Sequence, residues 1–193
     1  TVHAENGAII DRLSEEFEAL GRYGMEVLPL VHPIFTETEA IRRMSDLAKA
    51  ADSPIYIVHI SSGEGALEVS RARRNGVRVF GETCPQYLIL DDRLLTLPQG
   101  HLYSCCPPIR PYGRQQNIWD SIISDTIQVI ATDHCPFTKA AKNAWGGRLD
   151  RLPMGLPGVE TMPVLVLSEG LKRGIAVTRL VRTFTAAPAR LFG

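Results

Sequence analysis

No stretch of the 193-residue sequence stays apolar for the roughly 18–20 residues that a bilayer-crossing helix needs. Charge of either sign is not in excess: 21 Lys and Arg balance 21 Asp and Glu, which argues against nucleic acid or an anionic membrane as a partner. The opening Thr1-Val-His-Ala-Glu-Asn-Gly7 lacks the basic start and apolar run of a secretory signal. Cysteine is sparse, and Cys84, Cys105, Cys106 and Cys135 contain no Cys-x-x-Cys spacing. A disulfide framework and a four-cysteine zinc site are therefore disfavoured, and a reducing, cytoplasmic setting is expected. Internal repeats and low-complexity segments are also lacking. What remains is 45% hydrophobic and 22% charged, the profile of a globular α/β domain long enough to bury one core.

Three short apolar runs, Ile55–Ile60, Val77–Phe80 and Ile127–Thr132, read as buried parallel strands. Segments of helical period separate them. Glu37–Ala50 carries Ala40, Ile41, Met44, Leu47 and Ala48. Gly63–Asn75 turns Ala66, Leu67 and Val69 inward and stops at Gly76. Gln115–Ser124 sets Ile118, Trp119, Ile122 and Ile123 on one side. Val159–Arg173 and Thr178–Phe184 are further helices, and Ile9–Arg22, with Leu13, Phe17 and Leu20 in register, would follow a strand ending at His3. This alternation predicts βα units and a parallel sheet. Met25–Val31 passes a strand test by composition, but Pro29 in its middle demotes it to an edge or a loop.

The functional signal is positional. His3, His59 and Asp133 each fall at the C-terminal end of a strand-like run, the edge on which parallel α/β folds build their sites. Two imidazoles and a carboxylate suit a divalent metal such as zinc, and the aspartate can also accept a proton from metal-bound water. The plainer reading is that each histidine is partly buried and satisfied, and that Asp133 caps the following loop. Asp133-His134-Cys135 invites a cysteine-hydrolase reading, but neighbours on an extended segment point to opposite sides, so His134 is poorly placed to activate Cys135. Cys105 and Cys106 read as two small thiols in a turn before Pro107-Pro108. Glu82 is a catalytic candidate or a holder of loop backbone, and Arg71, Arg73, Arg74 and Arg78 read as a solvated helix face.

A family resemblance rests on seven blocks: His3-Ala-Glu-Asn-Gly7, Tyr56-Ile-Val-His-Ile-Ser61, Gly81-Glu-Thr-Cys-Pro-Gln-Tyr-Leu88, Cys106-Pro-Pro-Ile-Arg110, Thr132-Asp-His-Cys-Pro-Phe137, Pro153-x-Gly-x-Pro-Gly-Val-Glu160 and Ala187-Pro-Ala-Arg-Leu-Phe-Gly193. In this order, over essentially the whole chain, they resemble the dihydropyrimidinase/D-hydantoinase branch of the amidohydrolase superfamily. The resemblance implies a (βα)₈ TIM-type barrel, of which residues 1–193 would supply roughly strands five to eight. The barrel's N-terminal half and a β-sandwich would lie outside these residues. It also implies a binuclear zinc centre, with His3 and His59 holding one metal and Asp133 binding the other and shuttling the proton. The substrate would be a small cyclic amide, opened to an N-carbamoyl amino acid. A homo-oligomer, dimer or tetramer, is implied for the whole protein, and Met25–Val31 falls where the family has a loop.

Two parts of the family pattern are missing: a His-x-His pair and a strand-end lysine that is carboxylated. Two substrate positions also depart. Cys106 stands where the family commonly has serine, and Met154, before Gly155, where it commonly has asparagine. Thiol and thioether are weaker partners for an amide, so allantoinase-like or dihydroorotase-like chemistry stays open beside hydantoin or dihydropyrimidine hydrolysis. A non-catalytic scaffold relative is the other reading, and the retention of His3, His59 and Asp133 argues against it.

Overall fold

The computed structural model describes residues 1–193. The chain enters at Val2, which bridges Ile57 in parallel: its N–H donates to Tyr56 O (2.8 Å) and its carbonyl accepts from Val58 (3.2 Å). Helix α1 (Gly7–Ala19) follows, with Asn6 Oδ1 accepting from the Ile9 N–H at 3.2 Å, a cap contributing about 1 kcal/mol. A 3₁₀ turn (Met25–Val27) leads into α2 (Leu28–Val31), and α3 (Ile34–Ala50) runs to β1 (Ile55–Ile57). Then come α4 (Gly63–Arg74), β2 (Val79–Thr83), α5 (Pro85–Ile89), α6 (Gln115–Ile123) and β3 (Val129–Ile130). The chain closes with α7 (Lys139–Asn143), α8 (Met162–Lys172), α9 (Val177–Phe184) and α10 (Ala186–Phe192).

The strands form a parallel sheet ordered β1-β2-β3, with Ile57 opposite Gly81 and Thr83 opposite Ile130. All C-terminal strand ends therefore share one edge. The strands are shorter than the apolar runs, because His59 (φ 40°) and Asp133 (φ 47°) turn the backbone into the left-handed region soon after β1 and β3. The parallel α/β architecture agrees with expectation.

Met25–Val31 is helical, not extended. Pro29 lies in the first turn of α2, where its fixed φ suits a helix and its missing N–H costs nothing. Met25, Val27, Leu28 and Val31 point into the core. This burial requirement makes the segment look strand-like by composition.

The inward faces are narrower than the apolar registers. On α4, Ala66, Val69 and Ala72 are buried, while Leu67 is half exposed; on α6, Ile118, Trp119 and Ile122 are buried and Ile123 is not. Leu47 and Leu20 are also exposed. Arg73 is no solvated residue: it spans two strands, donating to Val79 O (2.8 Å) and Gln128 Oε1 (2.6 Å). Gly170 makes close packing of α8 and α9 possible, since a Cβ there would lie 2.5 Å from the buried Leu180 side chain.

Candidate active site

The sheet edge gathers the polar residues. Val2's bridge to β1 fixes His3 beside the loop that carries His59, and His3 Nδ1 lies 2.7 Å from His59 Nε2, with the two rings edge to face. His59 is buried, and His3 is about half exposed at 48% of its side chain. The positive φ of His59 is held from below: its N–H donates to Glu82 Oε1 (3.4 Å), and the other oxygen of Glu82 accepts from Tyr56 OH (2.6 Å). Left-handed backbone at a histidine and an aspartate on the same sheet edge is local strain of the kind concentrated at functional sites. Glu82 therefore serves the loop backbone, the structural alternative of the two its position allowed.

The electrostatics separate the two imidazoles. A hydrogen bond to Glu5 raises the pKa of His3, against the effect of burial, and Asp133 adds to the rise. Burial, then the neighbouring His3, lowers that of His59. The pair thus favours one proton between two facing nitrogens, a position open to a cation whose ligands must be neutral imidazoles. Asp133, exposed, reaches both rings through its charge. The chain brings together no cluster of three or more metal-donor side chains. As a donor set, the imidazole pair fits one flank of a zinc site, and Asp133 stands apart from it.

The expected substrate residues lie on two loops that touch. Ser104 ties them: its carbonyl accepts from Gly155 N–H (2.9 Å) and its hydroxyl donates to Pro153 O (2.9 Å). The buried Lys142 ammonium locks this knot by donating to Ser104 O (3.0 Å), Ser104 Oγ (2.8 Å) and Leu102 O (3.2 Å). A Cβ on Gly155 would lie 2.5 Å from Cys135 O, so only glycine lets this loop close on the Asp133–Cys135 segment. Gly155's N–H is committed to Ser104, and what that residue contributes is close approach. Cys106 and Met154 are half-buried and line one cavity of about 260 Å³ with His32, Phe17, Tyr23 and Leu152.

The cysteines sort by environment. Burial pushes the Cys84 thiol well up, the Cys105 thiol up to about 12, and the Cys106 thiol upward too. Cys135 is exposed, but His134 Nδ1 accepts from the Gly158 (3.1 Å) and Val159 (3.3 Å) N–H groups, so it is not poised to act on its neighbour. All four thiols are free. Iodoacetamide is expected to label Cys135 in the native protein, and Cys84 and Cys105 only after unfolding, as read by peptide mass mapping. Native labelling of Cys105 ahead of Cys135 would contradict this ordering.

Residues with no role assigned from the sequence also build the site. Glu5, with 2% of its side chain exposed, bridges His3 Nε2 (3.1 Å) and His32 Nδ1 (3.0 Å). Burial alone would raise its carboxyl, but the two imidazoles bring it down to about 2. Arg110, buried, donates to Ser61 Oγ (2.8 Å) and His32 O (2.6 Å). Glu37 accepts from the Ser61 N–H (2.7 Å), the Ser61 hydroxyl (2.8 Å) and the Ser62 hydroxyl. Glu37 had a legible signal, an acid in register with Ala40, Ile41 and Met44 on the apolar face of its helix.

No family model matches the sequence. The D-hydantoinase of Streptomyces coelicolor is 40% identical over 195 residues, and D-phenylhydantoinase of Escherichia coli is 42% identical over 196; each match covers 100% of this chain and 42% of the relative. Among solved structures, a dihydropyrimidinase from Brevibacillus agri superposes over 100% of this chain with a TM-score of 0.96 at 34% identity. An L-hydantoinase from Arthrobacter aurescens does so with a TM-score of 0.92 at 29% identity. These matches cover 42% and 43% of those two structures, so the chain spans less than half the length of its relatives. Enzymes named for opposite enantiomers share this backbone, which leaves the choice of enantiomer to side chains. With agreement in sequence and backbone along its whole length, the chain belongs to the hydantoinase/dihydropyrimidinase family, of whose members it spans about 42%.

Proposed function

We propose that these residues form part of a metal-dependent cyclic-amide hydrolase, contributing roughly strands five to eight of a (βα)₈ barrel as one domain segment, residues 1–193. The barrel's first half and a β-sandwich would lie outside it. The observation that carries the reading is the convergence of His3 Nδ1 and His59 Nε2 to 2.7 Å at the C-terminal sheet edge, in a chain matched along its whole length by hydantoinases. Here His3 and His59 hold zinc, and Asp133 faces it as ligand and proton carrier. A His-x-His pair and a carboxylated lysine from outside these residues would complete a binuclear centre. Bound zinc supplies Lewis acidity for the amide carbonyl and water acidified to neutral pH.

The chain's own residues do the rest. Asp133, exposed on the sheet edge, takes the proton from the attacking water and passes it to the leaving nitrogen. The Ser104 knot holds Cys106 and Met154 together, so the ring is oriented between two loops that move as one. The product of a hydantoin or dihydropyrimidine is an N-carbamoyl amino acid. Cys106 and Met154 favour a second substrate reading within the same chemistry, an allantoin-like or dihydroorotate-like ring, because neither side chain offers an amide's strong donor and acceptor pair. A cytoplasmic homo-oligomer, dimer or tetramer, is the proposed setting, and no helix is long and apolar enough to cross a membrane.

Elemental analysis of the natural polypeptide carrying these residues is expected to give about two zinc ions per chain. Turnover assays with hydantoin, dihydrouracil, allantoin and dihydroorotate are expected to show ring opening of at least one. Absence of both zinc and turnover would support a non-catalytic scaffold instead.

A further inference from the structure

His3 and His32 have no contact of their own; one buried carboxylate joins them. Glu5 follows His3 by two residues, beyond the buried Ala4, so its side chain returns beneath the His3 ring. Oε2 meets His3 Nε2 at 3.1 Å and Oε1 meets His32 Nδ1 at 3.0 Å. An ionised carboxylate only accepts, so both facing nitrogens must carry protons. His3 then presents Nδ1, the atom 2.7 Å from His59 Nε2, as its free lone pair. On the far side His32 Nε2 lies 3.7 Å from Cys106 Sγ, and the His32 carbonyl accepts from Arg110 (2.6 Å). One carboxylate thus connects the imidazole pair to the loop that carries Cys106.

We propose that Glu5 is a positioning residue that fixes His3 with its proton on Nε2 and its Nδ1 toward the cation, while holding His32 against the Cys106 loop. This rests on the reading of His3 and His59 as zinc ligands. Carboxylates behind metal-binding imidazoles orient the ring and raise its basicity, and their loss commonly costs 10–100-fold in metal affinity. Glu5→Gln keeps the volume but turns one acceptor into a donor, which must break either the His3 or the His32 contact. Asn6, next in the chain, donates to Glu39 at 2.6 Å and caps α1, so it is not available to replace it.

The test uses the natural polypeptide carrying these residues. Zinc affinity is measured by chelator competition on wild type, Glu5→Gln, His32→Asn and His3→Ala. Nitrogen NMR of the metal-free wild type, at a pH where His3 is neutral, reads the position of its ring proton. The expected results are a proton on His3 Nε2, a roughly 10–100-fold loss of zinc affinity in Glu5→Gln, and a larger loss in His3→Ala. His32→Asn, which leaves the Glu5–His3 contact in place, is expected to keep zinc affinity within about threefold. A wild type that binds zinc, together with a Glu5→Gln variant that binds it equally well, overturns the role of Glu5 and leaves the metal site standing. A His3 proton on Nδ1 overturns it too. A wild type that binds no zinc overturns the metal site and the inference together. If Glu5→Gln fails to fold, the His3 proton position in wild type decides.

Discussion

Asp133→Asn is expected to lower ring-opening turnover by about a hundredfold to ten-thousandfold, the range lost when a positioned proton carrier is removed. Asparagine is the informative replacement because Asp133 sits at φ 47°, a conformation that Asn tolerates well and most other side chains resist. The exchange keeps shape and backbone while removing the charge that acts on both His3 and His59. Asp133 is exposed, so little stability should be lost with it. The measurement is steady-state turnover of the best cyclic amide, alongside the melting temperature of the same preparation. Turnover within a fewfold of wild type, in a variant that melts normally, would remove Asp133 from the chemistry and leave it as a loop residue.

The second large effect is on stability. Glu37 projects from the first turn of α3 to the N-terminus of α4, where its two oxygens receive one backbone N–H and two hydroxyls. A carboxylate also suits the positive end of that helix. Burial raises the pKa of Glu37, while the Arg110 charge and the Ser62 and Ser61 hydrogen bonds oppose the rise. Glu37→Ala removes these contacts at once and leaves the buried Arg110 without its nearest negative charge. Breaking a buried charged arrangement from one side costs about 3–5 kcal/mol. For a chain of this size that corresponds to a fall in Tm of roughly 6–20 °C. Glu37→Gln, which keeps one acceptor and the volume, is expected to lose only about 1–3 kcal/mol. The two are compared by thermal and urea denaturation. A loss below about 1 kcal/mol for the alanine variant would mean that water replaces the carboxylate without cost, contrary to the burial of the site.

The two effects should be nearly independent in origin although their residues serve one edge. Asp133 sits in the mouth, where charge is needed and packing is loose. Glu37 lies behind Ser61, two residues beyond His59, and fixes the backbone from which His59 projects. A milder variant at Glu37 is therefore expected to affect the imidazole pair only through the position of the 59–62 loop.

Periodicity and composition alone made several things legible. The parallel α/β class followed from apolar runs alternating with helical registers. The placement of His3, His59 and Asp133 followed from where those runs end, since a parallel sheet must bring all its C-terminal ends to one side. The His3–His59 contact needed more: Val2 had to pair with β1, and nothing in a three-residue start fixes the partner of a strand. Met25–Val31 misled for a related reason. A short buried helix and a buried strand have the same composition, and the burial that selects the residues comes from neighbours distant in sequence.

Glu5, His32, Glu37 and Arg110 became parts of one site only in three dimensions. Each was visible as a polar residue within or beside a matched block or an apolar face, but the spacings between partners run from 24 to 78 residues. Sequence order carries no information about which buried charge meets which. Local patterns are set by a residue's immediate neighbours and so are readable in sequence. The pairing of buried polar groups is set by the requirement that each be satisfied after the core closes, and only the folded chain decides it.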